Sequence, residues 1–190
     1  RRGFGTIRSE TTRYPNFCRL LNEWLRLSVP ENVGLPLAHT TITINAHYAG
    51  KLHRDKRNLG PSYIKAFGEF QGGALQYFQN DKGRPLEELY FFTSTMGVKP
   101  MMLDVSKDLV LFDGRKAHSV QPFQGERFSI VWFACNLYES GNGNIDQQLR
   151  EAGFPVGKDF QFRLKQLDLR CETKPIRVRD GRLSGFADPF

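Results

Sequence analysis

The stretch RFSIVWFACN, residues 127–136, decides the fold class because its side chains alternate between two faces of an extended chain. Successive residues of a β-strand point to opposite sides, so Phe128, Ile130 and Trp132 share one face. The other face mixes polar and apolar side chains, namely Arg127, Ser129, Val131, Phe133 and Cys135. The alternation predicts a β-strand that carries an arginine and a serine on one side.

Short apolar runs separated by turn residues extend this pattern upstream. Ile42 and Ile44 alternate with polar neighbours, as in a half-buried strand. Further runs occupy residues 62–70, 73–78, 101–105, 108–112 and 118–123. Segment 80–85 is polar and contains Gly83 and Pro85, which is typical of an exposed hairpin connection. The series predicts a mainly β fold, an antiparallel sandwich or barrel.

Helical patterns flank the predicted strands. Apolar residues at helical spacing predict a helix over residues 16–28, with Pro30 ending it; they are Phe17, Leu20, Leu21, Trp24 and Leu25. Asn144 is a candidate cap for a short helix that runs to Ala152. Residues 176–183 alternate around Asp180 and Gly181, which predicts a hairpin with three arginines at its tip and outer face.

Composition restricts the class of protein. The length of 190 residues suits one domain, and about 18 consecutive apolar residues, as a membrane helix needs, occur nowhere. Three cysteines without CxxC spacing and no secretion signal favour an intracellular location, with the nucleus a candidate. A net charge of +7 favours polyanionic partners such as nucleic acid. Because the sequence begins at Arg1 and not at Met, we expect a piece of a longer protein.

Three residues are candidate metal ligands. His53 and Asp55 stand two apart, so in an extended segment both side chains point the same way. His118, at the start of a predicted strand, can complete the set. Two histidines and one carboxylate form the facial triad of non-haem Fe(II) oxygenases. The alternative is that the HxD tripeptide belongs to an ordinary surface loop.

Arg127 and Ser129 suggest an anion site. A guanidinium inside an otherwise apolar strand needs a counter-anion, and its planar donors fit a carboxylate. The alternative is a salt bridge to an internal Asp or Glu.

Together these motifs resemble the Fe(II)- and 2-oxoglutarate-dependent dioxygenases. The resemblance rests on HRD at 53–55, GGAL at 72–75, DLVLF at 108–112, HSVQP at 118–122 and GERFSI at 125–130. It implies a double-stranded β-helix, a cupin-like jelly roll with flanking helices. It also implies that His53, Asp55 and His118 bind Fe(II) and that Arg127, assisted by Ser129, binds 2-oxoglutarate. Ascorbate is expected as a reductant or an alternative cosubstrate.

The resemblance implies one dioxygenase domain over residues 1–190. Residues 1–38 are then an N-terminal helical support and residues 39–136 the jelly-roll core. Residues 137–190 form a C-terminal extension of a helix and the basic hairpin.

Residues 53–73 are similar to the branch that contains base-J thymidine hydroxylases and ten-eleven-translocation methylcytosine oxidases. This similarity implies hydroxylation of the methyl group of 5-methylcytosine or thymine in nucleic acid. A basic rim would hold phosphates, and polar or stacking groups would hold a flipped base. The candidate substrate contacts are Asn45, His47, Tyr48, Arg54, Lys56, Arg57 and Asn58. For three of them the alternatives are a turn at Asn58, a core tyrosine at Tyr48 and a strand histidine at His47.

Two other functions remain open. One is a peptidyl-prolyl hydroxylase, whose relatives share the Gly-Gly-x-Leu element. The other is a catalytically silent jelly roll that binds nucleic acid. The expected partners are nucleic acid and a small-molecule cosubstrate, with no membrane; the pattern leaves the oligomeric state open.

Overall fold

The computed structural model, which describes residues 9–89, 99–136 and 143–184, is built mainly of antiparallel strands. The strands are β1 (Thr41–Ala46), β2 (Ser62–Phe67), β3 (Phe70–Gly72), β4 (Leu75–Tyr77), β5 (Met101–Leu103), β6 (Leu109–Phe112), β7 (His118–Val120), β8 (Phe123–Gly125), β9 (Phe128–Phe133), β10 (Ile176–Arg179) and β11 (Arg182–Ser184). The helices are α1 (Ser9–Arg13), α2 (Pro15–Ser28), α3 (Gly143–Glu151) and α4 (Phe160–Cys171), with a 3-10 turn at Glu31–Val33.

The larger sheet has the strand order β1-β9-β2-β6-β10-β11, and every neighbouring pair is antiparallel. Strand β9 lies between β1 and β2, so the stretch that alternates in the sequence is an interior strand. Its Trp132 is fully buried on one face, and Ser129 is 4% exposed on the other. The predicted alternation is therefore confirmed.

The opposing strands pair as β5-β4-β7 and as β3-β8, and His53 forms an isolated bridge with His118. The predicted run 62–70 is divided into β2 and β3, and the predicted run 118–123 into β7 and β8. Strand β3 is separated from β4 at Gly73, and β7 from β8 at Pro122. When β3 with β4 and β7 with β8 are each counted as one strand and the His53 segment is added beside β7, four strands face β1-β9-β2-β6. The hairpin β10-β11 extends the larger sheet. This arrangement is the predicted jelly roll.

Two apolar layers hold the sheets in place. Between the sheets lies an interior cluster formed by Ile64, Ala66, Leu75, Tyr77, Leu103, Val105, Val110 and Phe112. The outer face of the larger sheet packs against helices α2 and α4, where Trp24 stacks on Trp132 at 5.6 Å between ring centroids. The larger sheet is thus buried on both faces, and the helices flank it as expected.

The helices and the hairpin test three predictions. Helix α2 confirms the helix predicted over residues 16–28, and β10 with β11 confirms the hairpin around Asp180. Helix α3 confirms the short helix, but Asn144 lies within it and is not its cap. Helix α4 has no counterpart in the sequence interpretation. Its buried residues recur at helical spacing, but exposed Phe162 and Leu169 on its other side obscure the pattern. Among the described residues, no helix has the length and apolar character needed to cross a membrane.

The basic hairpin is attached to the sheet through a buried carboxylate. Asp108 accepts a 2.6 Å hydrogen bond from Arg179 Nε, and Arg177 Nη1 lies 3.8 Å from it. Two of the three hairpin arginines are therefore engaged by the protein itself. The sequence predicts three arginines at the tip and outer face of the hairpin, whereas the structure places two of them beside Asp108.

Buried His39 gives a prediction for acid stability. Its Nε2 lies 2.7 Å from Asn22 Oδ1, while Asn22 Nδ2 donates to the Ala152 carbonyl, so Nε2 carries the proton. Burial and the charge of Arg163 lower the pKa of His39 to about 3. The unfolded chain takes up a proton at this side chain below pH about 6.5 and the folded chain does not, so His39 lowers the free energy of unfolding by about 2 kcal/mol between pH 7 and pH 5.

Urea titrations at both pH values check this expectation. The His39→Gln variant, whose side chain does not titrate, should lose about 2 kcal/mol less than the wild type over the same interval. An identical pH dependence in the two proteins would contradict it.

Candidate metal centre

His53 and His118 lie side by side because their strands pair. Each backbone N–H donates to the carbonyl of the other at 3.0 Å, and the ring centroids are 4.3 Å apart. Strand β7, which begins with His118, also pairs with β4 through Tyr77. The jelly-roll topology thus joins two residues that are distant in the sequence.

Hydrogen bonds orient both imidazoles in the same way. His53 Nδ1 lies 2.7 Å from the carbonyl of Lys51, and His118 Nδ1 lies 2.9 Å from the carbonyl of Lys116. Because a carbonyl only accepts, Nδ1 carries the proton in each ring and Nε2 presents a lone pair. The two Nε2 atoms are 3.5 and 3.9 Å from the carboxylate oxygens of Asp55.

Asp55 completes a cluster of three donor atoms that all lie within 4.8 Å of one another. Its backbone N–H donates to the Gly114 carbonyl at 2.8 Å, and its Oδ2 accepts a 3.1 Å hydrogen bond from Asn58. A side chain on Gly114 would place Cβ 2.7 Å from Asp55 Oδ2, so the carboxylate fits only beside glycine. Neutral imidazole nitrogens and a carboxylate at this spacing suit a divalent transition metal.

The cluster is accessible from one side. The His53 side chain is 47% exposed, the Asp55 side chain 30% and the His118 side chain 6%. Asp55 raises the pKa of His53 because it can accept a hydrogen bond from Nε2 of the protonated ring, whereas burial lowers the pKa of His118. A metal held by these three groups would therefore have protein on one side and room for further ligands on the other.

Arg127 is a buried cation that has no counter-anion among the residues that the structure describes. The residue is 1% exposed, and its Nε and Nη2 atoms have no hydrogen-bond partner in the described part of the chain. The rings of Phe70 and Phe123 lie 5.5 and 5.4 Å from its guanidinium carbon. Burial lowers its pKa. Within the described residues there is no salt bridge to an internal acid, the alternative explanation for this arginine.

Arg127 and the triad border the same interior. The ring of His118 contacts Phe112 of the interior cluster at 5.1 Å between centroids. Val131, on the same face of β9 as Arg127, packs against that cluster too. Ser129 lies between them and its hydroxyl accepts a 3.4 Å hydrogen bond from Asn45. The space between the sheets thus has a candidate metal site and an unpaired guanidinium.

Gly73 leaves the space that Arg127 occupies. Gly73 has a φ of +68°, and a Cβ there would lie 2.8 Å from Arg127 Nε and 3.0 Å from Cδ. Gly73→Ala should therefore displace the guanidinium and weaken binding of 2-oxoglutarate at least about 10-fold, since small displacements in a site are costly. Calorimetric titration of the metal-loaded protein with 2-oxoglutarate measures the effect.

The matched control is Gly181→Ala at the tip of the hairpin. Gly181 has the same φ of +68°, and the nearest atom to its hypothetical Cβ is Pro30 Cγ at 3.3 Å. The two variants share the backbone strain, but only Gly73→Ala disturbs Arg127. Equal affinities for 2-oxoglutarate in the two variants would show that the displacement does not matter.

The other candidate contacts fall into two groups. Tyr48, Lys56, Arg57 and His47 are exposed, with Tyr48 at 58% and the His47 ring 5.5 Å from Phe128. A Cβ on Gly50 would be 3.6 Å from ring atoms of both Tyr48 and His53, so Tyr48 lies beside the triad.

Arg54 and Asn58 are engaged by the protein. Arg54 donates two hydrogen bonds to Asp81, at 2.6 and 2.7 Å, and a third to the carbonyl of Arg84. Asn58 donates to Asp55 and to Ser62. Their donors point inward, which differs from the expectation of contacts with substrate phosphates or bases.

Asp81 and Gly114 are the site-related residues that the sequence interpretation lacks. Asp81 stands in the polar segment 80–85, whose composition indicates an exposed turn, yet its side chain is 1% exposed. The segment is a loop as predicted. The carboxylate of Asp81 nevertheless points into the protein, because Arg54 donates two hydrogen bonds to it there. Nothing in the local pattern distinguishes this aspartate from a solvated one.

Comparisons with known proteins found weak similarity to solved structures and no other match. No protein-family model and no curated protein matches the chain, whereas 13 chains of solved structures do. One of them is "NgTET1 in complex with 5mC DNA", at 18% identity and a TM-score of 0.42. The match covers 70% of this chain, which spans 56% of that one.

Proposed function

We propose that this chain is an Fe(II)- and 2-oxoglutarate-dependent dioxygenase that hydroxylates a C–H bond, with the methyl group of 5-methylcytosine or thymine in nucleic acid as its target. The observation that carries the proposal is a buried guanidinium whose Nε and Nη2 have no partner within the described ranges, on the interior that the His-Asp-His cluster also borders. Either feature alone has common structural uses. Together they match a metal and a dicarboxylate as neighbouring ligands.

In this proposal His53, Asp55 and His118 hold Fe(II). Both imidazoles already have Nδ1 engaged by backbone carbonyls, so little ordering is needed before Nε2 binds a metal. With 2-oxoglutarate and dioxygen, the bound iron supplies oxidation of a C–H bond to an alcohol while 2-oxoglutarate loses carbon dioxide and becomes succinate. Ascorbate serves to keep the iron reduced.

Arg127 receives the carboxylate of 2-oxoglutarate that is remote from the metal, and Ser129 donates its hydroxyl to the same group. The rings of Phe70 and Phe123 exclude water around this pair, which strengthens the ion pair and hydrogen bonds. The guanidinium is planar and carries parallel N–H donors, so it fixes orientation as well as charge. In this proposal the remote carboxylate of 2-oxoglutarate is the counter-anion of Arg127.

Exposed groups near the triad support a nucleic-acid substrate. Lys56 and Arg57 follow Asp55 directly and are exposed, so they can contact phosphates. Tyr48, beside His53, offers an exposed ring on which a base can stack. We assign Asn45 and His47 to the same mouth and leave Arg54 and Asn58 out of the substrate contacts. The dioxygenase domain is proposed to comprise the whole chain, with residues 39–136 as its core.

Mass spectrometry of nucleosides tests the proposal directly. The protein is incubated with Fe(II), 2-oxoglutarate, ascorbate and oligonucleotides that contain 5-methylcytosine or thymine, and succinate is measured in parallel. A hydroxymethyl product together with succinate is expected, and neither should form with Asp55→Ala. Hydroxyproline formed from a proline-rich peptide instead would identify a prolyl hydroxylase. Metal-independent binding of DNA with no succinate would identify a silent binding module.

A further inference from the structure

We propose that Asp81 is a positioning residue of the metal centre, which ties the segment that carries His53 and Asp55 to the segment that carries His118. This inference rests on the proposed function, because it concerns the metal affinity of the triad. Asp81 comes from the loop after β4 and has no contact with the proposed metal. It acts through the two segments that it joins.

Both oxygens of Asp81 are fully used. Oδ2 accepts hydrogen bonds from Arg54 Nε and from the backbone N–H of Ala117, each at 2.6 Å. Oδ1 accepts from Arg54 Nη2 at 2.7 Å and from the Gly83 N–H at 2.9 Å. The side chain is 1% exposed, so water does not compete for these donors.

The two main donors are adjacent to metal-ligand candidates. Arg54 stands between His53 and Asp55, and Ala117 directly precedes His118. A single buried carboxylate therefore bonds to a neighbour of every member of the triad. Apart from Asp81, these segments are joined by the His53–His118 backbone pair, the Asp55–Gly114 hydrogen bond and the hydrogen bond from the Val120 N–H to the Gly50 carbonyl, and by a longer one from Arg115 to the Leu59 carbonyl. Loss of Asp81 would leave those links to hold the ligand geometry.

Asparagine is the informative replacement. It keeps the size of the side chain but has one acceptor oxygen, and its amide group would face donors of Arg54, Ala117 or Gly83. The arginine would also lose its buried counter-charge. We expect the segments to shift and Co(II), used as an air-stable probe, to bind about 10- to 100-fold more weakly, as when groups that orient metal ligands are removed elsewhere.

Asp108→Asn is a matched control. Asp108 is likewise 1% exposed and accepts a 2.6 Å hydrogen bond from an arginine, Arg179. Asp108 directly precedes β6 and Gly114 follows it, so the length of that strand, roughly 10 Å at the usual rise per residue, lies between them. Both variants lose a buried carboxylate–arginine pair, but only the Asp81 pair adjoins the triad. Asp108→Asn should therefore lower stability and leave the Co(II) affinity unchanged.

The experiment measures Co(II) dissociation constants by calorimetry for the wild type, Asp81→Asn, Arg54→Gln, the double variant and Asp108→Asn, with thermal unfolding of each metal-free protein alongside. We expect both single variants to bind Co(II) weakly and the double variant to bind no more weakly than the weaker single one, because Asp81 acts largely through Arg54. If Asp81→Asn does not fold, Arg54→Gln carries the test, since glutamine keeps an N–H donor for Asp81 in place of the guanidinium.

Three results would overturn the inference. If Asp81→Asn binds Co(II) as tightly as the wild type, Asp81 has no positioning role, and the proposed function is unaffected. The same holds for Arg54→Gln where that variant carries the test. An equal loss in Asp108→Asn would show a general effect of lowered stability. Failure of the wild type to bind Co(II) would remove the proposed function, and this inference with it.

Discussion

Asp55→Ala should abolish metal binding and turnover while the metal-free protein keeps its fold. Asp55 supplies the single carboxylate of the triad, and without it two neutral imidazoles remain to bind a divalent cation. We expect Co(II) affinity to fall more than about 100-fold, beyond the 10- to 100-fold typical of residues that only orient ligands. The side chain is 30% exposed and the domain has its own core, so the free energy of unfolding should change by less than about 1 kcal/mol.

Asp146→Ala is the control for this variant. The Asp146 side chain is 36% exposed on α3, and its Oδ2 lies 3.9 Å from Arg150 Nη1. The variant therefore removes a similarly exposed carboxylate from another element. Metal affinity and succinate formation should both equal those of the wild type. Co(II) absorption spectra and succinate assays give the two readouts. Retention of metal-dependent turnover by Asp55→Ala would refute the triad as the catalytic centre.

Much of this arrangement could be anticipated from the sequence because it depends on local geometry. The alternation along β9 places Arg127 and Ser129 on one face, and the spacing of His53 and Asp55 places them on one side of an extended segment. The jelly roll then pairs the backbone at His53 with the start of β7, which brings His118 to His53. The first two steps follow from strand periodicity, and the third follows from the jelly roll that the resemblance to the dioxygenases implies.

The remaining features depend on contacts between residues distant in the sequence. Asp81 lies in a segment with the composition of a surface turn, and its burial follows from Arg54, 27 residues earlier. The role of Gly114 depends on the position of the Asp55 carboxylate and has no local sequence signal. Helix α4 has apolar residues on two sides, so its periodicity does not show which side is buried. Such features require the three-dimensional structure.

The Arg127→Met variant separates a functional arginine from a structural one, because the two explanations predict opposite signs for stability. A structural arginine stabilises the protein by its contacts. A buried guanidinium with two unpaired nitrogens costs free energy, which its ring contacts with Phe70 and Phe123 offset in part. We therefore expect Arg127→Met to raise the free energy of unfolding of the ligand-free protein by about 1 kcal/mol. The same change should weaken 2-oxoglutarate binding at least about 100-fold, since a buried charged partner is lost, and leave Co(II) affinity unaltered.

Urea unfolding of the ligand-free protein and calorimetric titration with 2-oxoglutarate measure the two effects. Arg127→Lys provides the graded comparison: it keeps the charge but replaces a planar fork with a point charge, so the Michaelis constant for 2-oxoglutarate should rise without loss of metal binding. A protein that selection had shaped for stability alone would not keep an unpaired cation between two phenylalanine rings. If Arg127→Met lowers stability and 2-oxoglutarate binds as before, the arginine belongs to the scaffold, and the dicarboxylate site must lie elsewhere.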